Sequence, residues 1–193
     1  MPVQKVTREE ILQKSLQVFK RQGYHRTSMD DLAKACGLLK GSFYHYFSSK
    51  EALMKAVLQY MNEYNEANVL SIAYDESLLP RVRLERLLNT LFAAVTQTEG
   101  GCLMGNTVLE TALVTEEFKE TLQTHFNNIM AAAAHIYQTV CSPERAFTIA
   151  QQLAVEIQGS LLLIKLYGNS HLLDDCRARA LQRFDDLQKS TQS

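Results

Sequence analysis

Residues 24–51 read YHRTSMDDLAKACGLLKGSFYHYFSSKE, and nearly every position in this stretch has a local structural use. Ser28 stands three residues before Asp31, the spacing of a capping box, in which a hydroxyl and a carboxylate satisfy free amides at a helix start. Met29, Leu32, Ala33 and Cys36 follow at helical spacing and Gly37 ends the run, predicting a helix of roughly two turns. Glycine suits that stop because the chain leaves the helix in a left-handed conformation that a Cβ disfavours. After about three residues a further short helix is predicted from about Leu39 or Lys40 to Phe47. Ser48 or Ser49 then caps a longer helix, with Glu51 three residues beyond Ser48. Leu53, Met54, Val57, Leu58 and Met61 give that helix its apolar face.

Upstream, Thr7 and Glu10 form another capping box. Ile11, Leu12, Leu16, Val18 and Phe19 continue at helical spacing to Gln22, with Lys20 and Arg21 in the last turn and Gly23 at the stop. A long helix followed by two short ones joined through a glycine turn is a three-helix helix-turn-helix module. It is too small to bury much alone, so the helix after Ser49 is expected to tie it to the rest of the chain. Charge sets this segment apart as well. Residues 1–50 carry nine Lys/Arg against four Asp/Glu, a net of +5, within a chain whose formal charge is −1, leaving −6 on the remainder. A basic head on an acidic body fits a head that meets a polyanion.

The remainder reads as helix throughout. With three prolines (Pro2, Pro80, Pro143) and 46% hydrophobic residues in 193, long helices around a packed core are favoured over many strands. Helices are predicted to about Ile72, then at about Arg81–Thr98, Leu103–Leu113 and Glu116–Val140. Two more follow, from Ser142-Pro143 to about Tyr167 and from Leu172 to Leu187, with fraying after Lys189. Glu99-Gly100-Gly101 and Gly168-Asn169 are the main breaks. The expectation is an all-α chain of about nine helices, with a DNA-binding domain at 1–50 and a helical domain at 51–193. No apolar leader follows the N-terminus, and the longest apolar run, Leu161 to Ile164, stops at Lys165, so no membrane span is expected. Cys36, Cys102, Cys141 and Cys176 are scattered without a CxxC pair, which suits reduced thiols in the cytoplasm.

The segments T-S-x-x-x-L-A, G-x-x-K-G-S-F-Y-H-Y-F and S-K-E within 27–51 resemble, in spacing and order, the DNA-binding domain of the TetR family of transcriptional regulators. The resemblance implies that the helix near Leu39–Phe47 lies in the major groove of operator DNA. It marks Lys40, the Gly41 amide, Ser42, Tyr44 and His45 as groove or backbone contacts, with Tyr46 a weaker candidate. Lys50 is a phosphate-binding lysine by the same resemblance, and Thr27 and Ser28 are contacts beside the preceding helix. Phe43 and Phe47 are packing residues. Leu39 departs from the family, in which Ser or Thr is common at this position. A leucine there either touches a thymine methyl or covers the preceding helix.

The resemblance also implies a homodimer binding a double-stranded, palindromic operator, with the last two long helices forming the dimer contact. Leu153, Ile157, Leu161 and Ile164 are the candidate interface, repeating at helical spacing. The body is implied to bind a small-molecule effector that relieves repression, with Cys102, Phe92, Met104 and Phe126 as candidate contacts. Cys102, in GGCLMGN at a helix start, is also similar to its counterpart in a subgroup that includes repressors of N-ethylmaleimide reductase, which sense electrophiles through a cysteine. The other meaning for Cys102 is a packed small side chain. No catalytic motif such as a Walker loop, GxSxG or HExxH occurs, and the five histidines lack metal-ligand spacing, so neither an enzyme nor a metal or cofactor site is expected. A helical adaptor using the motif on another protein is the competing class, separated from a DNA-binding regulator by salt-sensitive duplex binding.

Overall fold

The computed structural model describes residues 6–96 and 100–192. Among these are nine α-helices, one 3-10 helix and no strand: α1 (Arg8–Gln22), α2 (Met29–Cys36), α3 (Lys40–Tyr44), α4 (Lys50–Asn68), the 3-10 helix Leu70–Tyr74, α5 (Pro80–Thr96), α6 (Leu103–Thr111), α7 (Lys119–Tyr137), α8 (Pro143–Tyr167) and α9 (His171–Gln192). The chain forms two compact units, Met1–Glu63 with Cys102–Leu122, and Tyr64–Gly101 with Gln123–Ser193.

In the first unit the predicted start signals act as the sequence suggests. The Thr7 amide donates to Glu10 Oε2 at 2.8 Å while the Glu10 amide donates to Thr7 Oγ1 at 3.1 Å. Ser28 and Asp31 do the same for α2. Ile11, Phe19, Leu32, Phe43, Leu53 and Met54 are fully buried and make the core of this unit with Met104 and Phe118 from the later segment. Residues 102–122 belong here because α6 packs against α1.

In the second unit α5, α7, α8 and α9 bury Leu84, Ile136, Ala146, Leu153, Leu173 and Phe184. The Tyr137 hydroxyl donates to the Ala180 carbonyl at 2.9 Å inside this core, and Arg81 Nε meets Asp185 Oδ1 at 2.7 Å near its edge. Glu156 of α8 accepts from both Arg179 and Arg183 of α9. The helix α8, 25 residues long, is long and apolar enough by length and composition to cross a membrane. About a third of its most apolar stretch is buried in the core described above.

Several boundaries differ from those predicted. The short helix expected to reach Phe47 ends at Tyr44 and closes with tighter turns, His45 N–H to Ser42 O and Tyr46 N–H to Phe43 O. The helix expected to run to Ile72 stops at Asn68, and a 3-10 helix takes over. The α5 end predicted at Thr98 lies outside the described residues. Helix α9, expected to fray after Lys189, continues to Gln192, and the Thr191 hydroxyl donates to the Val140 carbonyl at 3.0 Å.

Candidate nucleic-acid interface

The turn between α2 and α3 is built from Gly37, at φ 71 and ψ 27, with its amide on the Ala33 and Lys34 carbonyls. The Leu38 amide returns to Ala33 O at 2.9 Å, closing the helix end in the 6→1 pattern. Leu38 is half-buried; Leu39 follows in extended backbone at the N-cap of α3 with no side-chain capping bond. Phe43 and Phe47 then point into the core, and the Arg8 guanidinium lies 4.9 Å over the Phe47 ring. Two aromatic anchors therefore hold a five-residue helix, and Leu39, Lys40, Gly41, Ser42, Tyr44 and His45 are all left exposed. Tyr46 points elsewhere: its hydroxyl donates to the Val6 carbonyl at 3.1 Å and fixes the start of the chain against this module.

Gly41 is informative because nothing in the chain requires it. Its φ is not positive, and a Cβ built there would meet no atom within 4 Å. A glycine inside a helix costs about 1 kcal/mol relative to alanine. The bare backbone at Gly41 leaves room for close approach from outside the chain.

The turn between α1 and α2 forms a second cluster. Lys50 Nζ donates to the Tyr24 carbonyl at 2.8 Å and to the His25 carbonyl at 3.4 Å, and lies 4.4 Å over the Tyr24 ring. Burial lowers the pKa of this ammonium, and the Glu110 carboxylate opposes that shift. Tyr24 stacks edge-on to Phe118 at 5.1 Å, and burial raises its phenol pKa. Glu110, in the last turn of α6, accepts the His25 amide on Oε2 at 3.0 Å, and its backbone carbonyl accepts from His25 Nε2 at 3.1 Å. The same carboxylate lies against Gly23, where a built Cβ would come within 2.5 Å of Oε1. His25 and Glu110 were not among the predicted site residues. No local pattern announces a contact between residues 85 apart in sequence.

Two predicted contacts take a different place. Thr27 is buried, and its hydroxyl donates to the Gly23 carbonyl at 2.6 Å, so its side chain holds the turn and is withdrawn from the surface. Ser28 is exposed but shares its hydroxyl with Asp31, donating to Oδ2 at 2.6 Å and accepting from the Asp31 amide.

Three of the four predicted dimer residues lie on the covered face of α8. Leu153, Ile157 and Leu161 are buried within their own chain and Ile164 is half-buried, because this face of α8 packs on the core of its own unit. The free face carries Val155, Leu162 and Leu166, exposed by 72%, 58% and 69%, with Gly159 open between them. Beside it, a groove of about 630 Å³ runs between α8 and α9, lined among others by Arg145, Gln152, Arg179 and Arg183. None of the four candidate effector residues lines this groove. Cys102, half-buried, is the N-cap of α6, its Sγ accepting the Gly105 amide at 3.4 Å, and Met104 is buried on the same helix. Phe92 is buried on α5, and Phe126, half-buried on α7, meets His125 edge-on at 5.2 Å. Among the described residues no three His, Cys, Asp or Glu side chains gather as a metal site.

Residues 11–57 match the family model for bacterial regulatory proteins of the tetR family. Over 178 residues the chain is 29% identical to the HTH-type transcriptional repressor DhaR of a Mycobacterium species, covering 86% of each protein. A TetR transcriptional regulator from Legionella pneumophila superposes with a TM-score of 0.85 at 25% identity, over 95% of this chain and 99% of that one. The reduced form of Escherichia coli NemR shares the fold, with a TM-score of 0.77 at 22% identity over 90% of this chain and 94% of its own.

Proposed function

We propose that this chain belongs to the TetR family of bacterial regulatory proteins and is a cytoplasmic homodimeric repressor that holds a palindromic operator through α3 and releases it when a small molecule acts on the helical body. Its relatives support a DNA-binding transcriptional regulator rather than an enzyme. The operator contacts, the dimer and the release are the finer proposal.

One observation carries it: a five-residue helix is pinned by two buried phenylalanines while every other residue from Leu39 to His45 faces outward. On this proposal Lys40, Ser42, Tyr44 and His45 meet base edges or backbone in the major groove. Gly41 lets the α3 backbone come close to phosphates. Lys50 contributes its charge from the Tyr24–His25 turn, and Ser28 with the start of α2 faces the flanking backbone. The second copy docks on the free face of α8, because three large aliphatic side chains in register along one helix ask for an apolar partner. The pair sets two α3 helices about one DNA turn apart. The effector is proposed to act through α6, which starts at Cys102 and ends at the Glu110 contact with His25, so that a shift of α6 bears directly on the helix-turn-helix turn. Whatever stabilises the mis-spaced form weakens operator binding by the same coupling energy.

The test is selection of bound duplexes from a random library, followed by titration of the winner at two salt concentrations. A palindrome bound at nanomolar strength is expected. Its affinity should fall by about 10³-fold or more between 50 and 200 mM salt, for roughly six or more phosphate contacts. No enriched sequence, or binding indifferent to salt, would remove the regulator function and favour a protein-binding adaptor.

A further inference from the structure

Leu39 breaks two local rules at once. It occupies the N-cap of α3, where Ser, Thr, Asp or Asn would accept a free amide and stabilise the helix start. Here no side-chain capping bond forms. Its side chain is also 81% exposed, the highest exposure of any large apolar residue on α1 to α4. The neighbouring Leu38 is half-buried at the turn, whereas Leu39 is left in solvent. Two residues on, Gly41 weakens the same short helix with no steric need in the chain. Breaches of local preference that the fold itself does not use are expected where an outside partner uses them.

The setting limits that partner. Leu39 stands directly before Lys40, with Ser42, Tyr44 and His45 exposed on the same short element, in a segment of net charge +5. A polyanionic duplex is the body that fits this surface. In its major groove the base edges offer hydrogen-bond donors and acceptors, and the apolar feature is the 5-methyl group of thymine. A leucine side chain can make no hydrogen bond, so it gains there only by covering that methyl.

We infer that Leu39 is a specificity-determining residue: it packs against the 5-methyl group of one thymine in each half-site of the operator. This rests on the operator-binding function proposed above. Lys40 and the hydroxyl and ring side chains of α3 supply anchoring, and Leu39 supplies discrimination for thymine at its position. Covering one methyl corresponds to about a fourfold preference per half-site, and about fifteenfold when both half-sites are changed together.

The experiment replaces each operator thymine singly, and in symmetric pairs, with deoxyuridine, which removes the methyl and keeps every hydrogen-bonding atom. With the wild-type chain, one symmetric pair should weaken binding by about fifteenfold while the other pairs change little. With Leu39→Ala the thymine and uracil operators should be bound equally. Leu39 is exposed, so this variant should keep its thermal unfolding midpoint, which is measured alongside. Wild-type binding that ignores every uracil substitution overturns the inference. So does a Leu39→Ala protein that still prefers thymine at the sensitive pair. Failure of the parent function looks different: no duplex is enriched at all, and both proposals fall together.

Discussion

The helices α3 and α8 both hold large side chains out in solvent, but the two sets differ in kind. Around α3, five residues long, the N-cap Leu39 stands beside exposed lysine, serine, tyrosine and histidine, and local helix preferences are broken at Leu39 and Gly41. In α8, 25 residues long, the exposed stripe Val155–Leu162–Leu166 is aliphatic, and the helix is well made, with Ser142 capping its start and Gly168 its end. A mixed surface on a weak, anchored helix suits a charged, patterned ligand that must be told from similar ones. An apolar surface on a strong helix suits an identical copy of itself. Exposure alone does not separate these roles; what surrounds the exposed group does.

The sharpest way to break this contrast is to put the same charge on the two faces of α8. Leu161→Arg forces an unpaired guanidinium into the protomer core and should destabilise folding by more than about 4 kcal/mol in a urea titration. Leu162→Arg, one residue along, should leave the protomer folded by circular dichroism and shift sedimentation from dimer to monomer. The dimer dissociation constant should rise at least about 100-fold, or about 2.7 kcal/mol. If Leu162→Arg stays dimeric, the stripe is not the interface and α8 resembles α3 less by contrast than by accident.

Acid separates the two regions more gently, because His125 lies in the unit that carries α8 and outside the unit that carries α3. It is buried, and burial lowers its pKa from 6.5 to about 4. The unfolded chain takes up a proton near pH 6.5 that the folded chain refuses until about pH 4. Stability is therefore full above about pH 6.5 and falls as pH drops toward 4, by on the order of 3 kcal/mol. Urea midpoints measured between pH 7.5 and 4.5 should show this decline, and His125→Gln should flatten it. An equally steep decline in the variant would assign the acid sensitivity to other groups.

The smallest effect expected is the most diagnostic of α3. Gly41→Ala should raise stability by about 0.8 kcal/mol, since alanine is the better helix former and its Cβ meets nothing. Operator affinity should nevertheless fall by about tenfold, or 1.4 kcal/mol. A variant both more stable and equally tight in binding would mean that the α3 backbone does not approach DNA closely, and the contrast with α8 would lose half its basis.

These two helices also mark how far the sequence could be read. The Thr7–Glu10 and Ser28–Asp31 boxes, the Gly37 stop and the Ser142-Pro143 start are local signals, and each appears in the structure where its residues stand. The phenylalanine anchors of α3 are equally local, since Phe43 and Phe47 lie four apart. The outward face of α8 was not legible. Leu153, Ile157 and Leu161 on one side and Val155, Leu162 and Leu166 on the other repeat with the same helical period, and only burial distinguishes the covered face from the open one. The inward turn of Thr27 was hidden for a related reason, as a hydroxyl before a cap can turn inward as easily as outward. The role of Glu110 was out of reach, because it depends on α6 coming back to α1 after the whole of α5 has intervened.

That return of α6 bears on any attempt to re-target the protein by transplantation. A graft of residues 1–50 onto another body would take Gly23, His25 and Lys50 and leave Glu110 behind. The donor turn would then meet whatever the recipient carries at the end of its own α6. A faithful transplant needs two pieces of chain, through Glu63 and from Cys102 to Leu122. A library of exchanged heads should be spliced at those three seams, with the Glu110–His25 pair kept from a single parent.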